Sequence, residues 1–269
     1  MQFLAKKSLG QNFLKSEKAL REMTESVDLH PNDTVLEIGP GYGALTEYLL
    51  NTGARVVAVE KDDNLFAVLQ EKFADYISKG KLTLVHKDIL EFNEDEQTAL
   101  HLKKGDYKIA ANIPYNITGQ IFRQFLTGNN QPSKMSLLVQ KEVAERIVAR
   151  DKKESLLSVS VKIYGQPKLI SKVLAGSFVP APKVDSAIIL IDNISRDFFT
   201  KNNIAEEKFW TILHGAFAHK RKTISGNLRG VIDSNKLQSF LLENKISPTV
   251  RAEDITIEQW GRLVSFLSL

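Results

Sequence analysis

The sequence predicts an α/β protein, a doubly wound and mostly parallel sheet followed by a small all-helical unit, and three observations carry that reading. Short apolar runs alternate with helix-like runs over the first two thirds of the 269 residues. A glycine-rich turn stands directly after the first of these strands. After Ile191 the helical patterns follow one another with no strand between them.

The strand candidates are Thr34 to Ile38 (TVLEI), Arg55 to Glu60 (RVVAVE), Leu82 to His86 (LTLVH), Lys108 to Ala111 (KIAA) and Met135 to Gln140 (MSLLVQ). Each is short, apolar and partly β-branched, as strands covered on both faces are. Ala44 to Leu50, Asp63 to Phe73, Gln120 to Leu126 and Lys141 to Ala149 supply helical crossovers. Right-handed β–α–β connections then make a doubly wound sheet the economical topology, with its ligand at the C-terminal ends of the strands. Glu206 to Phe217, Lys236 to Asn244 and Ile257 to Leu267 read as helices of a second domain. The expected division is 1–193 and 194–269.

Composition narrows the function classes. There is no cysteine, so disulfides, thiolate metal ligands and a cysteine nucleophile are excluded. No segment is apolar for long enough to span a bilayer, and the first residues lack a secretory pattern, so a cytoplasmic protein without membrane attachment is expected. The formal charge of +4 is locally concentrated. Between Glu207 and Asp233 there is no acidic residue, while Lys208, Lys220, Arg221, Lys222 and Arg229 all fall there. Such a patch suits a polyanion, and equally a solvated helical face.

The turn after the first strand reads Glu37-Ile38-Gly39-Pro40-Gly41-Tyr42-Gly43. Glycines there let the backbone turn sharply and approach a ligand closely, beside the next helix N-terminus. Dinucleotide sites place their third glycine three residues after the second, but Gly43 comes two after Gly41, which favours a nucleoside cofactor. Glu60 ends the second strand, where a carboxylate accepts ribose hydroxyls. Asp88 follows the third, within reach of an adenine amine. Each acid alone is an ordinary loop residue; together with the glycines they mark three successive strand ends.

After the fourth strand comes Ala111-Asn112-Ile113-Pro114-Tyr115-Asn116. Asparagine, proline and tyrosine often make a plain turn. At this place in the sheet they also suit methyl transfer to an exocyclic base amine, whose lone pair is delocalised into the ring. Asn112 offers a side-chain oxygen and Pro114 a backbone carbonyl, so both amine hydrogens find acceptors that localise charge on nitrogen. Tyr115 offers a face on which the base stacks. No metal or covalent nucleophile is required.

With these motifs in place, the sequence resembles the KsgA-type ribosomal RNA adenine N6,N6-dimethyltransferases nearly end to end. The resemblance is carried by KKSLGQNFL at 6–14, EIGPGYGALT at 37–46, NIPYNIT at 112–118, QKEVAERIVA at 140–149, FVPAPKVDSA at 178–187, FAHKRKT at 217–223 and RAEDIT at 251–256. It implies a Rossmann-like class I methyltransferase domain using S-adenosyl-L-methionine, then a helical domain that binds RNA. It also implies, as substrate, two adjacent adenines in the hairpin near the 3′ end of 16S ribosomal RNA, within an assembling small subunit. By motif, Asn12, Leu14, Gly39, Gly41, Glu60, Asp88 and Asn112 are expected to contact the cofactor. Phe178 is expected to stack on the target base opposite Tyr115, and Lys220, Arg221, Lys222 and Arg229 to hold RNA, with Lys6 and Lys7 as further candidates. A metal-free monomer is expected.

Three departures stand out. Glu154 and Ser155 occupy a place where the family usually carries Tyr-Gly, Lys220 stands for a common arginine, and Gly226 for a frequent asparagine. Lysine lacks arginine's planar fork, so individual RNA contacts differ. The related methyltransferase of large-subunit RNA, which confers macrolide resistance, shares Asn-Ile-Pro-Tyr, but LGQNFL, FAHKRKT and RAEDIT point away from it. A non-catalytic small-subunit assembly factor is the competing reading from another class.

Overall fold

The computed structural model describes residues 10–267. The chain folds into two compact units. One takes the residues up to Ala144 together with Gln166–Ile194, and the other takes Glu145–Gly165 and the chain from Ser195 onward. The chain thus passes between the units three times, after Ala144, Gly165 and Ile194, where the sequence pattern marks one break, near Asn193. The amphipathic pattern of residues 145–165 does not say which core its apolar face joins.

The first unit is built on a seven-stranded sheet. Its five parallel strands are β2 (Thr34–Ile38), β3 (Arg55–Glu60), β4 (Leu82–His86), β5 (Tyr107–Asn112) and β6 (Lys134–Gln140). Two further strands, β7 (Gln166–Val173) and β9 (Ser186–Asp192), complete it in the order β4-β3-β2-β5-β6-β9-β7. β9 runs antiparallel to both β6 and β7. β9 is buried over Ser186 to Ile191, which is why its run SAIILI is almost wholly apolar. β7 is an edge strand, and it carries the features that stop an edge from recruiting another: Pro167, Lys168 and Lys172, and a bulge between Leu169 and Ser171. A two-residue strand β1 (Phe13–Leu14) pairs separately with β8 (Phe178–Val179).

Helices α1 (Glu17–Ser26), α2 (Ala44–Asn51), α3 (Asp63–Lys72), α4 (Ala74–Ser78), α5 (Glu94–Ala99) and α6 (Thr118–Thr127) connect these strands. Their starts are chemically marked. The Ser16 side chain accepts the Ala19 N–H, and Asp62 accepts those of Asn64 and Leu65, satisfying donors left open in a first turn. Leu20, Met23, Leu49, Val56, Leu69 and Leu138 lie in one buried cluster. After β2 the chain winds outward through β3 and β4, then returns to place β5 on the other side of β2. The strand order therefore reverses between β2 and β5, which opens a crevice at their C-terminal ends.

The second unit holds α8 (Leu156–Lys162), α9 (Asp197–Asn202), α10 (Glu206–Ala216), α11 (Ile224–Asn227), α12 (Ser234–Glu243) and α13 (Ile257–Phe266). The chain leaves the first unit within α7 (Lys141–Val148). Phe209, Leu213, Trp260 and Leu263 are fully buried in this core. A polar network is set among the aromatic rings. Glu206 accepts from the Tyr164 hydroxyl and from Arg196 Nε at 2.9 Å, and Trp210 Nε1 donates to Tyr164 at 3.2 Å. The Glu154-Ser155 departure is accommodated locally. Ser155 forms a reciprocal cap with Ser158 at the start of α8, and Glu154 pairs with Lys162 at 2.6 Å.

Candidate active site

A cavity of about 730 Å³ opens where the strand order reverses. Its walls come from the ends of β2, β3, β4 and β5 and from the segment Gly10–Lys15, all within the first unit. Asn12, Leu14, Gly39, Gly41, Glu60, Asp88, Asn112, Pro114 and Tyr115 all line it. Nine side chains or backbone segments spread over a hundred residues thus meet in one space. The glycine turn explains how the backbone approaches it. Gly39 adopts φ +63°, and a Cβ there would meet no atom within 4 Å, so the glycine leaves open room beside the cavity. Gly43, at φ +77°, is excluded from carrying a side chain for another reason: a Cβ would collide with the Phe73 ring.

Glu60 is 5% exposed, and its carboxylate accepts N–H groups from Gly41 at 3.1 Å and Asp62 at 2.9 Å. Burial pushes its carboxyl up, against these hydrogen bonds. The residue thus ties the glycine turn to the start of α3 while facing the cavity. Asp88 caps a short 3-10 turn by accepting the Leu90 N–H at 3.0 Å. It also receives Lys61 Nζ at 2.6 Å. Burial alone would raise its carboxyl, but Lys61 and the Leu90 N–H hold it below the usual carboxylate range, and it stays ionised as an acceptor.

Behind the turn, Glu37 is 1% exposed and accepts the Thr46 hydroxyl at 2.7 Å. Burial pushes its carboxyl up to about 8, and the neighbouring Glu60 charge adds to that. The folded chain therefore keeps a proton that the unfolded chain releases as pH rises from the ordinary carboxylate range toward 8. Stability is expected to fall across that window by on the order of 1 kcal/mol per pH unit, and to level off above it. In Glu37→Gln this slope is expected to disappear. Urea titrations of both proteins at pH 5, 6, 7 and 8 check it; parallel pH profiles would refute a buried proton at Glu37.

Asn112 ends β5, and its Nδ2 donates to the Asn12 carbonyl at 3.0 Å. That bond sets the amide's orientation, because the nitrogen must face a carbonyl. Oδ1 is left without a partner among the described residues. Asn12 in turn donates Nδ2 to the Gly10 carbonyl at 3.1 Å, and Gln11 donates to Asp62 at 3.3 Å. The N-terminal strap is thereby stitched to two walls of the cavity. The Pro114 carbonyl accepts the Ile117 N–H at 3.2 Å. A carbonyl has a second lone pair, so this bond narrows its direction without exhausting it. Tyr115 opens the following 3-10 turn, half-buried, with its hydroxyl 2.7 Å from Ser186 Oγ.

Phe178 stands apart from these nine. It is 3% exposed, belongs to the buried cluster with Leu14, Leu138 and Ile188, and does not line the cavity. The β1–β8 register sets Phe178 opposite Leu14, and both belong to the buried cluster. Lys220, Arg221, Lys222 and Arg229 belong to the second unit. The first three occupy the turn between α10 and α11 rather than a helical face, and all four are exposed. None pairs with a carboxylate among the described residues. By contrast, Lys208 from the same stretch donates to the Leu267 carbonyl at 2.9 Å and is committed to helix packing. Lys6 and Lys7 lie outside the described residues. No group of three His, Asp or Glu side chains suited to a metal occurs among the described residues, and no helix there is long and apolar enough to cross a membrane.

Sequence reasoning passed over two contributors: Ser186, beneath Tyr115, and Lys61, on Asp88. Lys61 was findable as the neighbour of Glu60. Ser186 depends on a contact between residues 71 apart.

Fold and cavity together define a Rossmann-like methyltransferase. The family model for ribosomal RNA adenine dimethylases matches residues 2–269, and the chain belongs to that family. A Dehalococcoides mccartyi protein named ribosomal RNA small subunit methyltransferase A is 40% identical over 261 residues, 96% of this chain and 87% of that one. A Clostridium botulinum protein of the same name is 36% identical over 266 residues, 97% of this chain and 94% of that one. Among solved structures, the 23S rRNA methyltransferase ErmE aligns with a TM-score of 0.75 at 24% identity, over 96% of this chain and all of that one. A dimethyladenosine transferase from Plasmodium falciparum aligns with a TM-score of 0.75 at 22% identity, over 93% and 95%. These two likenesses speak to the fold.

Proposed function

We propose that this protein transfers methyl groups from S-adenosylmethionine to N6 of two adjacent adenines in the hairpin near the 3′ end of 16S ribosomal RNA, during small-subunit assembly. Family membership supports the reaction, and the small-subunit relatives at 36–40% identity support the choice of RNA. The observation that carries the chemistry is Asn112 Oδ1, without a partner among the described residues, at the end of β5 in a cavity that Pro114, Glu60 and Asp88 also line.

The residues present fit the cofactor: open room at Gly39, a buried carboxylate at Glu60 for hydroxyl donors, and an ionised acceptor at Asp88 for an amine. When bound, S-adenosylmethionine supplies an electrophilic methyl with its leaving group already activated by positive charge. The chain's own task is to present the nucleophile. Asn112 Oδ1 and the Pro114 carbonyl accept the two hydrogens of the adenine amine before the first transfer, and one of them accepts the remaining hydrogen before the second, which draws electron density onto nitrogen and fixes its direction; each transfer releases one amine proton to water. Tyr115 stacks on the base. Phe178, paired across the β1–β8 ladder with the cavity residue Leu14, supplies the second aromatic face of the stack. The exposed cations of the second unit hold the RNA backbone. The enzyme acts in the cytoplasm, as a monomer.

The decisive test incubates the protein with labelled S-adenosylmethionine and isolated small or large ribosomal subunits, then maps the modified nucleoside. Label in N6,N6-dimethyladenosine of the small subunit is expected. Label confined to the large subunit would move the protein to the macrolide-resistance type. Tight subunit binding with no label would leave it an assembly factor.

A further inference from the structure

Tyr115 does not simply face the cavity. It is held from behind, and the geometry points to Ser186 as a positioning residue that sets the plane of the Tyr115 ring for the target base. This inference rests on the reading of Tyr115 as the base-stacking residue.

Tyr115 opens the 3-10 turn after β5, and its hydroxyl meets Ser186 Oγ at 2.7 Å. Ser186 is the first residue of β9 and is fully buried, flanked across the ladders by Gln140 of β6 and Val173 of β7. Because β6 lies between β5 and β9, the tyrosine hydroxyl bridges over one strand to reach its partner. The anchor itself is rigid. The Asp185 carbonyl accepts the Lys141 N–H at 3.0 Å, Asp185 Oδ1 accepts the Ala175 N–H at 3.0 Å, and Asp185 Oδ2 pairs with Lys172 at 2.7 Å. The residue just before Ser186 is thus held by three contacts, so the backbone that carries the hydroxyl keeps its place.

A tyrosine ring rotates about two bonds and has a broad torsional preference at the second, so packing at its root leaves its tilt loose. A hydrogen bond at its far tip removes that freedom. Burial pushes the Tyr115 hydroxyl's ionisation up, so it remains a neutral partner for Ser186 over the working pH range. The ring plane matters to the reaction because a stacked base inherits it. Any tilt of the base moves its amine out of line with the Asn112 and Pro114 oxygens, and misplacement of a reacting group by a fraction of its bond length is costly.

The test is a double-mutant cycle in the full chain: Tyr115→Phe, Ser186→Ala and the pair together, with Tyr115→Ala as a separate arm. Tyr115→Phe keeps the ring and removes only the tether. Both single variants are expected to lower kcat for small-subunit methylation by roughly 10-fold at saturating cofactor. The KM for S-adenosylmethionine is expected to stay within about twofold of wild type, a split that general loosening of the fold would not give. The double variant should be no slower than the slower single one, since both remove the same bond. A product of the two losses would overturn the link, and so would a wild-type kcat for Tyr115→Phe beside an impaired Tyr115→Ala. That second outcome leaves the stacking reading standing. If Tyr115→Ala itself turns over at the wild-type rate, the stacking reading falls and the tether's role with it. Should Ser186→Ala fail to fold, Tyr115→Phe alone still decides between loss and no loss of kcat.

Discussion

Replacing Asn112 with alanine is expected to lower methyl transfer by roughly 100-fold or more at saturating cofactor, while binding to the small subunit persists. The estimate follows from the cost of deleting one preorganised partner of a developing charge in a transition state. The structure sharpens why asparagine is needed there. Its Nδ2 is committed to the Asn12 carbonyl, which sets the amide's orientation, and in the proposed reaction Oδ1 is the group offered to the substrate. Alanine removes both ends at once: the acceptor in the cavity, and the donor that stitches the N-terminal strap to β5. Cofactor affinity is therefore measured in the same variant, and kcat is read only where the cofactor saturates. Asn112→Asp is the informative companion. It restores an acceptor but sets a carboxylate oxygen against the Asn12 carbonyl, so it is expected to recover little activity. Near-normal single-turnover rates in Asn112→Ala would remove this residue from the chemistry.

Replacing Lys220, Arg221 and Lys222 together with alanine is expected to weaken small-subunit binding by roughly 10- to 100-fold at moderate salt. The slope of log affinity against log salt should fall by about 3, because each phosphate contact releases about one counterion. Affinity for S-adenosylmethionine should not change, since the cavity lies wholly in the first unit. What recommends these cations is that they stand together in a stretch with no acidic residue between Glu207 and Asp233, and have no acidic partner among the described residues. By contrast, Lys153 pairs with Glu253 and Asp254, and Lys162 with Glu154. A lysine already neutralised by a carboxylate gains less from a phosphate. A salt series in which the triple variant reproduces the wild-type slope would return this turn to the status of a solvated surface.

The sequence by itself determined the parallel half of the sheet and the chemistry at its edge. Strands β2 to β6 are legible because a strand covered on both faces must be apolar at successive positions, whatever its neighbours. Gly39, Glu60, Asp88 and Asn112 are legible because each stands at or just past the C-terminal end of such a strand, and a doubly wound sheet brings those ends together. Local spacing was enough for all of this. Tertiary structure alone decided what depends on partners distant in sequence. β7 escaped pattern reading because an edge strand is selected for polarity and a bulge rather than for alternation, and its pairing with β9 is visible only in the ladder. Residues 145–165 join the helical unit because packing, not period, chooses which core an amphipathic helix covers. Phe178 lies in the buried cluster opposite Leu14 through the β1–β8 pairing, which joins positions more than 160 apart. The orientation of the Asn112 amide and the tether of Tyr115 to Ser186 belong to the same class. A hydrogen bond needs two atoms within about 3 Å, and no spacing along the chain specifies that meeting until the sheet has formed.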